Sequence, residues 1–277
     1  MRYIFSIVAT LCLLGFSSCN NIEQAADSPI APKPRKAIRL MTYNVGAICK
    51  FIGEDFTKED NVKLIAEIIK ESQADAVAYQ ELDSCNTRND YFQLEALAKA
   101  TGEDWGYFYG PAIDYRGGKY GTGIAANKKK AIKSLYIPIP VKEGTEARVL
   151  TIVEYKDYVW ASTHLNGGQP AQVEYLTNEV KKMYADSKKP VFLGGDMNAN
   201  VGKEMMNKFC EDWTVISQTE SGSTVLTTTK PCIDFILQFN NRAKAAEVIG
   251  SKVIKEANAG DMKIASDHYP VYVDVIL

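Results

Sequence analysis

Apolar residues follow two alternating patterns along the larger part of the chain, residues 37–277. Residues 39–43 predict a strand, and the short, nearly continuous apolar runs at 76–79 and 191–194 are typical of buried strands. Between the first two of these segments, apolar residues recur at helical spacing from Val62 to Ile69. Buried strands that alternate with amphipathic helices predict an α/β fold.

The remaining elements extend this prediction. Thr57, followed three residues later by Asp60, predicts a helix N-terminus, and we predict further helices at 91–100 and between 168 and 189. Further short strands are predicted at 107–109, 123–126, 147–155, 158–163, 213–216, 233–237, 247–253 and 271–276. Helices that cross over between strands, together with many short strands, predict an α/β domain with two packed sheets.

The first residues follow a different pattern. Arg2 precedes an apolar run over residues 3–16, which is shorter than the roughly 20 residues that span a bilayer core but suits a signal peptide. Ser17 and Ser18 then precede Cys19, an arrangement that resembles the lipobox of bacterial lipoproteins. The resemblance implies that residues 1–19 are a lipoprotein signal peptide with Cys19 as the lipidated residue. An ordinary secretory signal cut nearby, or an uncleaved anchor, is the alternative.

A short polar stretch connects this leader to the domain. Residues 20–36 contain three prolines and show no apolar period, which predicts a flexible tether. Residues 37–277 are enough for one domain. We therefore expect an exported protein, membrane-anchored through its lipid and periplasmic or at the cell surface, whose domain acts as a monomer.

The charge balance limits the partners. The formal net charge is −2, from 32 basic and 34 acidic residues, and it falls by one when Arg2 is removed. Such a balance gives no electrostatic footprint for tight nonspecific binding to nucleic acid. It does not exclude anionic substrates that metal ions screen locally.

Polar residues stand where the apolar runs end. Burying a charged group costs free energy unless the group has a partner, and ligand sites in α/β proteins favour strand ends. Both histidines of the chain belong to this set. We expect a site formed by Asn44, Glu81, His164, Asp196, Asn198, Asp234, Asp267 and His268.

These residue types favour one reaction class. Carboxylate and amide oxygens are ligands for Mg²⁺ or Mn²⁺ rather than for zinc, and the sequence has neither a CxxC pair nor a GxSxG nucleophile motif. A metal with two imidazoles indicates attack by activated water on a phosphate ester. The alternative is a non-catalytic, ligand-binding surface lipoprotein on the same fold.

The motifs TYN, QE, THL, GGDMN, IDFI and SDHYP occur in this order from Asn44 to Pro270. Together they resemble the endonuclease/exonuclease/phosphatase superfamily, and GGKYGTGI (117–124) resembles a strand of many members. The resemblance implies a four-layer α/β/β/α sandwich of the deoxyribonuclease-like type. It also implies a phosphodiesterase or phosphatase whose substrate is nucleic acid, a sugar phosphate or a lipid headgroup.

The resemblance assigns roles on the acidic side of the site. Asn44, Glu81 and Asp267 would form the site for Mg²⁺ or Mn²⁺, with Glu81 as the main ligand. Asp196 and Asn198 would contact the nucleophilic water or the phosphate.

The remaining roles fall on the basic side. His268 would act as a base or phosphate ligand, oriented by Asp234. His164 would contact the phosphate or protonate the leaving group, and Arg148 would bind a phosphate oxygen. Position 46 is Gly46 where repair enzymes of the superfamily often carry an aspartate, which makes a second metal site doubtful.

Four cysteines remain after the leader, and an even number in an exported protein permits two disulfides with three possible connectivities. Cys49 and Cys85 each follow a predicted site residue within a few positions. We predict a Cys49–Cys85 bridge at the rim of the site and a Cys210–Cys232 bridge elsewhere.

Overall fold

A computed structural model describes residues 28–48, 57–128, 130–219, 222–226 and 232–277. The predicted signal peptide and Cys19 lie outside the described residues. Within the described ranges, no helix has the length and apolar composition needed to cross a membrane.

The helices are α1 (Lys58–Ser72), α2 (Gln93–Thr101), α3 (Pro170–Tyr184), α4 (Glu204–Phe209) and α5 (Met262–Ala265). The strands are β1 (Ile38–Asn44), β2 (Ala76–Ser84), β3 (Trp105–Tyr115), β4 (Gly118–Asn127), β5 (Lys133–Ile139), β6 (Arg148–Glu154), β7 (Val159–His164), β8 (Val191–Asp196), β9 (Trp213–Val215), β10 (Asp234–Phe239), β11 (Glu247–Val253) and β12 (Val271–Ile276).

The strands form two six-stranded sheets. The first sheet has the order β11-β12-β1-β2-β4-β3, and the second has the order β5-β6-β7-β8-β10-β9. Each sheet contains one parallel pair, β1–β2 in the first and β7–β8 in the second, and the crossover helices α1 and α3 connect these pairs. Functional side chains can therefore lie at the carboxyl ends of both parallel pairs.

Three layers of apolar side chains separate four layers of structure. Between the sheets lie residues such as Leu40 of β1 and Trp160 of β7. A second layer, including Ile65 of α1, packs helices on the first sheet, and a third, including Leu176 of α3, packs helices on the second. The predicted four-layer α/β/β/α sandwich is confirmed.

The start of α1 follows the predicted capping pattern. Thr57 Oγ1 accepts a hydrogen bond from the Asp60 backbone N–H at 3.2 Å, and the Asp60 carboxylate accepts one from the Thr57 N–H at 3.0 Å. This reciprocal pair satisfies two backbone donors that the first helical turn leaves unpaired. It fixes where the chain enters the crossover between β1 and β2.

The N-terminal part of the described chain packs on the domain. The side chain of Ile30 is 2% exposed, Lys33 Nζ lies 2.6 Å from Asp75 Oδ2, and Arg39 Nη1 donates to the Ala31 carbonyl at 3.0 Å. Residues 28–36, which we assigned to the flexible tether, therefore belong to the folded part, and the boundary predicted at residue 37 is too late.

The disulfide predictions disagree with the structure. Cys210, at the end of α4, is an exposed free thiol, whereas Cys232 is buried and its Sγ donates to the Gly222 carbonyl at 2.8 Å. The structure therefore contains no Cys210–Cys232 bridge. Cys85 is also an exposed free thiol, contrary to the predicted Cys49–Cys85 bridge, and Cys49 lies outside the described residues.

Candidate active site

Strand alternation directs the predicted site residues into the space between the sheets. Asn44, His164, Asp196 and Asp234 each lie two or four positions from an inter-sheet core residue of the same strand. The register places His164 beside Asp196 and Asp196 beside Asp234. The four side chains therefore share the inner face at one end of the sandwich.

Glu81 reaches this site through an irregularity in β2. Val77 and Tyr79 face the helix layer, so regular alternation would direct Glu81 there as well. The pairing of β2 with β4 shifts between Tyr79 and Leu82, and Glu81 adopts a φ of 58°. This bulge turns Glu81 toward the site, a common use of bulges next to functional residues.

Asn44 connects the two sheets at the site. Its Nδ2 donates to Glu81 Oε1 and to Asp196 Oδ2, both at 3.1 Å. Its Oδ1 accepts a hydrogen bond from the Gly46 N–H at 3.1 Å, which fixes the orientation of the amide. Asn44 thus directs its nitrogen at both carboxylates and holds the Glu81 and Asp196 side chains around the same atom.

His268 forms a buried pair with Asp234. His268 Nδ1 lies 2.9 Å from Asp234 Oδ2, and its Nε2 lies 3.8 Å from Asp196 Oδ2. Burial lowers the pKa of His268, but the Asp234 charge and hydrogen bond, together with Asp196 and Glu81, outweigh it and raise this pKa to about 9. The predicted pairing of Asp234 with His268 is present, and the imidazole is charged at neutral pH.

His164 lies on the other side of Asp196. Its Nε2 is 3.6 Å from Asp196 Oδ2 and 2.9 Å from Asn198 Nδ2. Burial lowers the pKa of His164, and the Asp196 charge offsets this only in part. Within the described residues its Nδ1 has no hydrogen-bond partner. The two imidazoles therefore differ: His268 is charged and His164 is neutral.

Asn198 holds the opposite oxygen of Asp196. Its backbone N–H donates to Asp196 Oδ1 at 2.8 Å, and its side chain donates to the Leu165 carbonyl at 2.9 Å. The φ of Asn198 is 47°, a left-handed conformation that asparagine tolerates better than most residues. This turn brings the Asn198 amide beside His164.

Arg148 lies at the rim near His164 and is held by two neighbours. Its Nε donates to Asn166 Oδ1 at 2.9 Å, and its Nη1 lies 2.5 Å from Glu146 Oε1. Asn166 was not predicted as a site residue, because an amide in the loop after β7 has the same sequence appearance as any loop residue. The sequence feature that could have indicated a role for Asn166 in the site is its position two residues after His164.

Tyr120 of β4 is a second residue that was not predicted to belong to the site. Its side chain is nearly buried, and burial, with the charges of Glu81 and Glu146, raises its pKa far above the ordinary value. Tyr120 is therefore close enough to Glu81 and Glu146 for their charges to act on its hydroxyl. Asp267, the remaining predicted ligand, directly precedes His268 and is half-buried.

The site suits a hard cation. Asp196 and Asp234 offer carboxylate oxygens within 4.8 Å of each other, and the Asn44 amide donates to both Asp196 and Glu81. Burial raises the pKa of Asp196, and the neighbouring Asp234 raises it further. Crowded buried carboxylates are stabilised by a bound cation, and oxygen donors are the ligands that Mg²⁺ and Mn²⁺ prefer.

This combination of a deoxyribonuclease-like sandwich and an acid–imidazole centre defines a class of hydrolases. The family model described as "Endonuclease/Exonuclease/phosphatase family" matches residues 41–268. The chain belongs to the endonuclease/exonuclease/phosphatase family, whose members hydrolyse phosphate esters. A search of curated proteins finds no significant match.

Solved structures agree with this architecture. A family protein from Leptotrichia buccalis C-1013-b is 20% identical, with a TM-score of 0.64, and the match covers 87% of this chain and 100% of that one. A mannosyl-6-phosphatase from Bacteroides thetaiotaomicron VPI-5482 is 14% identical, with a TM-score of 0.68 and coverages of 87% and 100%. The catalytic domain of human nocturnin, solved with bound sulfate, is 19% identical, with a TM-score of 0.64 and coverages of 88% and 96%.

Proposed function

We propose that this protein hydrolyses a phosphate ester with the help of one Mg²⁺ or Mn²⁺ ion. The main support is the contact that Asn44 makes with both Glu81 and Asp196, which gathers carboxylates from two sheets beside two imidazoles. The mannosyl-6-phosphatase neighbour is the reason to try a small phosphomonoester, such as a sugar phosphate, among the first substrates.

Glu81 and Asp267 would hold the cation, and Asn44 would orient Glu81 through its side-chain nitrogen. A bound divalent ion neutralises charge on the phosphate and stabilises the leaving oxygen. Asp196, fixed through both oxygens by Asn44 and Asn198, orients the attacking water and accepts its proton.

The two imidazoles and Arg148 have the remaining roles, which are contacts with the phosphate. The charged His268 binds the phosphoryl oxygens, because Asp234 keeps it protonated and fixes the orientation of its ring. His164, with Asn198 against its Nε2, contacts the departing side of the phosphate. Arg148 binds a further phosphate oxygen from the rim.

A substrate panel with and without chelator tests this proposal. The panel contains bis-p-nitrophenyl phosphate, p-nitrophenyl phosphate, mannose 6-phosphate and a DNA duplex. We expect turnover of at least one substrate, loss of turnover in EDTA and recovery with Mg²⁺ or Mn²⁺. Replacing His268 by alanine removes a charged donor to the phosphoryl group, whose contribution to kcat is on the order of 10²–10³-fold, so kcat should fall about that far.

Two results would contradict the proposal. Turnover that persists in excess EDTA would refute the proposed metal dependence. An unchanged kcat in His268→Ala would refute the role assigned to His268. Tight binding of a phosphate ester in calorimetry, with no turnover of any substrate, would instead favour the non-catalytic binding protein.

We further propose that the protein is exported and anchored in a membrane through lipid on Cys19. The support is the apolar run at residues 3–16, followed by two serines before this cysteine. Replacing Cys19 by alanine is expected to move the expressed protein from the membrane fraction to the soluble or unprocessed fraction. Equal membrane association of both forms would argue for an uncleaved anchor.

A further inference from the structure

The turn that follows Asn44 is held in an unfavourable conformation. Gly46, Ala47 and Ile48 have φ values of 55°, 56° and 51°, so three successive residues are left-handed. Non-glycine residues rarely adopt this region, and a β-branched residue such as Ile48 does so least readily. Such a turn persists only where its surroundings hold it, and it supplies the Gly46 N–H that orients the Asn44 amide.

Two buried amides hold this turn. Asn89 Nδ2 donates to the Ala47 carbonyl at 3.0 Å, and Gln93 Nε2 donates to the same oxygen. Asn89, Gln93 and Ala47 are all almost completely buried. Both lone pairs of one carbonyl are thus used to hold the turn.

The same two amides also hold the chain just after Glu81. Asn89 Nδ2 donates to Asp83 Oδ2 at 2.6 Å, and Gln93 Oε1 accepts a hydrogen bond from the Asp83 N–H at 2.7 Å. Arg88 donates to both oxygens of Asp83 at 2.7 and 2.8 Å, which compensates the buried carboxylate. A polar network therefore joins the segment after β1 to the end of β2.

We propose that Asn89 and Gln93 are positioning residues that set the spacing of Asn44 and Glu81 and thereby the affinity of the site for its cation. This inference rests on the proposed function. Neither amide reaches the site itself; each acts through Ala47 on the Asn44 turn and through Asp83 on the bulge that carries Glu81. Groups of this kind behind metal ligands typically contribute 10–100-fold to metal affinity.

Mn²⁺ titration of the full chain by calorimetry, without substrate, tests the proposal. Gln93→Ala is expected to bind Mn²⁺ at least 10-fold more weakly than the unsubstituted protein. Thr177→Val is the matched control, because it removes an equally buried hydrogen bond, from Trp213 Nε1 to Thr177 Oγ1 at 2.9 Å, on the far side of the second sheet. It should lower the melting temperature without changing Mn²⁺ affinity.

If Gln93→Ala does not fold, Gln93→Glu keeps the shape and the acceptor for Asp83 but loses the donor to Ala47, and it should show the same loss of affinity. Hydrogen exchange at the Gly46 amide gives a metal-free measure: exchange should speed up in the Gln93 variants and not in Thr177→Val. Unchanged affinity and unchanged Gly46 exchange in both Gln93 variants would overturn the inference. An unsubstituted protein that binds no Mn²⁺ would refute the proposed metal, while the Gly46 exchange would still decide whether Gln93 positions the turn.

Discussion

At the scale of single residues, Asp196 is the centre of the site. Asn44 and Asn198 donate to its two oxygens, and the two imidazoles approach one of them at 3.6 and 3.8 Å. Each of these residues could be predicted from the sequence, because it stands close to one end of a predicted strand. The supporting amides Asn89, Gln93 and Asn166 could not, because a buried amide and a surface amide have the same sequence appearance until the fold is known.

The His268–Asp234 pair predicts a pH dependence of stability. The pKa of His268 is raised from 6.5 to about 9 in the folded protein, so its contribution is complete below pH 6.5 and is lost as the pH rises through about 9. The lowered pKa of His164 reduces stability only below pH 6.5. Above that pH, the contribution of His164 to stability does not change. We expect urea unfolding in EDTA to show a loss on the order of 1–3 kcal/mol between pH 7 and pH 9.5.

Asp234→Asn is the control for this measurement. The substitution removes the largest charge that raises the pKa of His268, so the loss over the same interval should be clearly smaller than in the unsubstituted protein. An equal loss in both proteins would show that other groups, such as the buried tyrosines, cause the effect.

At the scale of elements, apolar spacing predicted the crossover helices and the strands of both parallel pairs, because these elements are buried in a regular pattern. β5 was missed, since it is an edge strand with mixed exposure and contains Pro138. The short α4 was missed as well, because six residues give too few turns for a helical period. The bulge at Glu81 had no sequence indication, since it depends on pairing with β4.

Close packing of the two sheets predicts an intolerant glycine in β8. A Cβ on Gly194 would lie 2.7 Å from Trp160 Cη2 and 3.0 Å from Thr42 Cβ, and both neighbours are fixed in the inter-sheet layer. Gly194→Ala should therefore lower the free energy of unfolding by roughly 1–3 kcal/mol, as measured in urea. Gly102→Ala is the comparison, because its Cβ would approach only the Trp105 side chain, at 3.2 Å, and equal losses in both variants would count against this explanation.

At the scale of the whole molecule, the folded unit includes residues that sequence composition assigned to a linker. Proline-rich, polar segments usually remain extended because they bury little apolar surface. Here Ile30 supplies the apolar anchor and Lys33 the ion pair with Asp75. The burial of one side chain was enough to change the domain boundary. The average composition of the segment does not single out such a residue.

Truncation tests this boundary. A protein that begins at Ala37 loses the burial of Ile30, which is worth roughly 1.5–3 kcal/mol, and should unfold at lower urea concentration than one that begins at Ser28. Ile30→Ser in the longer protein should reproduce most of the loss. If the two lengths unfold at the same concentration, the segment makes no net contribution to stability.

The position of β12 beside β1 has a consequence for biosynthesis. Arg39 of β1 forms its bidentate pair with Asp274 of β12, 235 residues later in the sequence. While the ribosome is still translating the intervening segment, β1 lacks this neighbour, and the Arg39 guanidinium lacks its counterion. The first sheet therefore cannot complete its pairing at β1 until translation reaches that last strand.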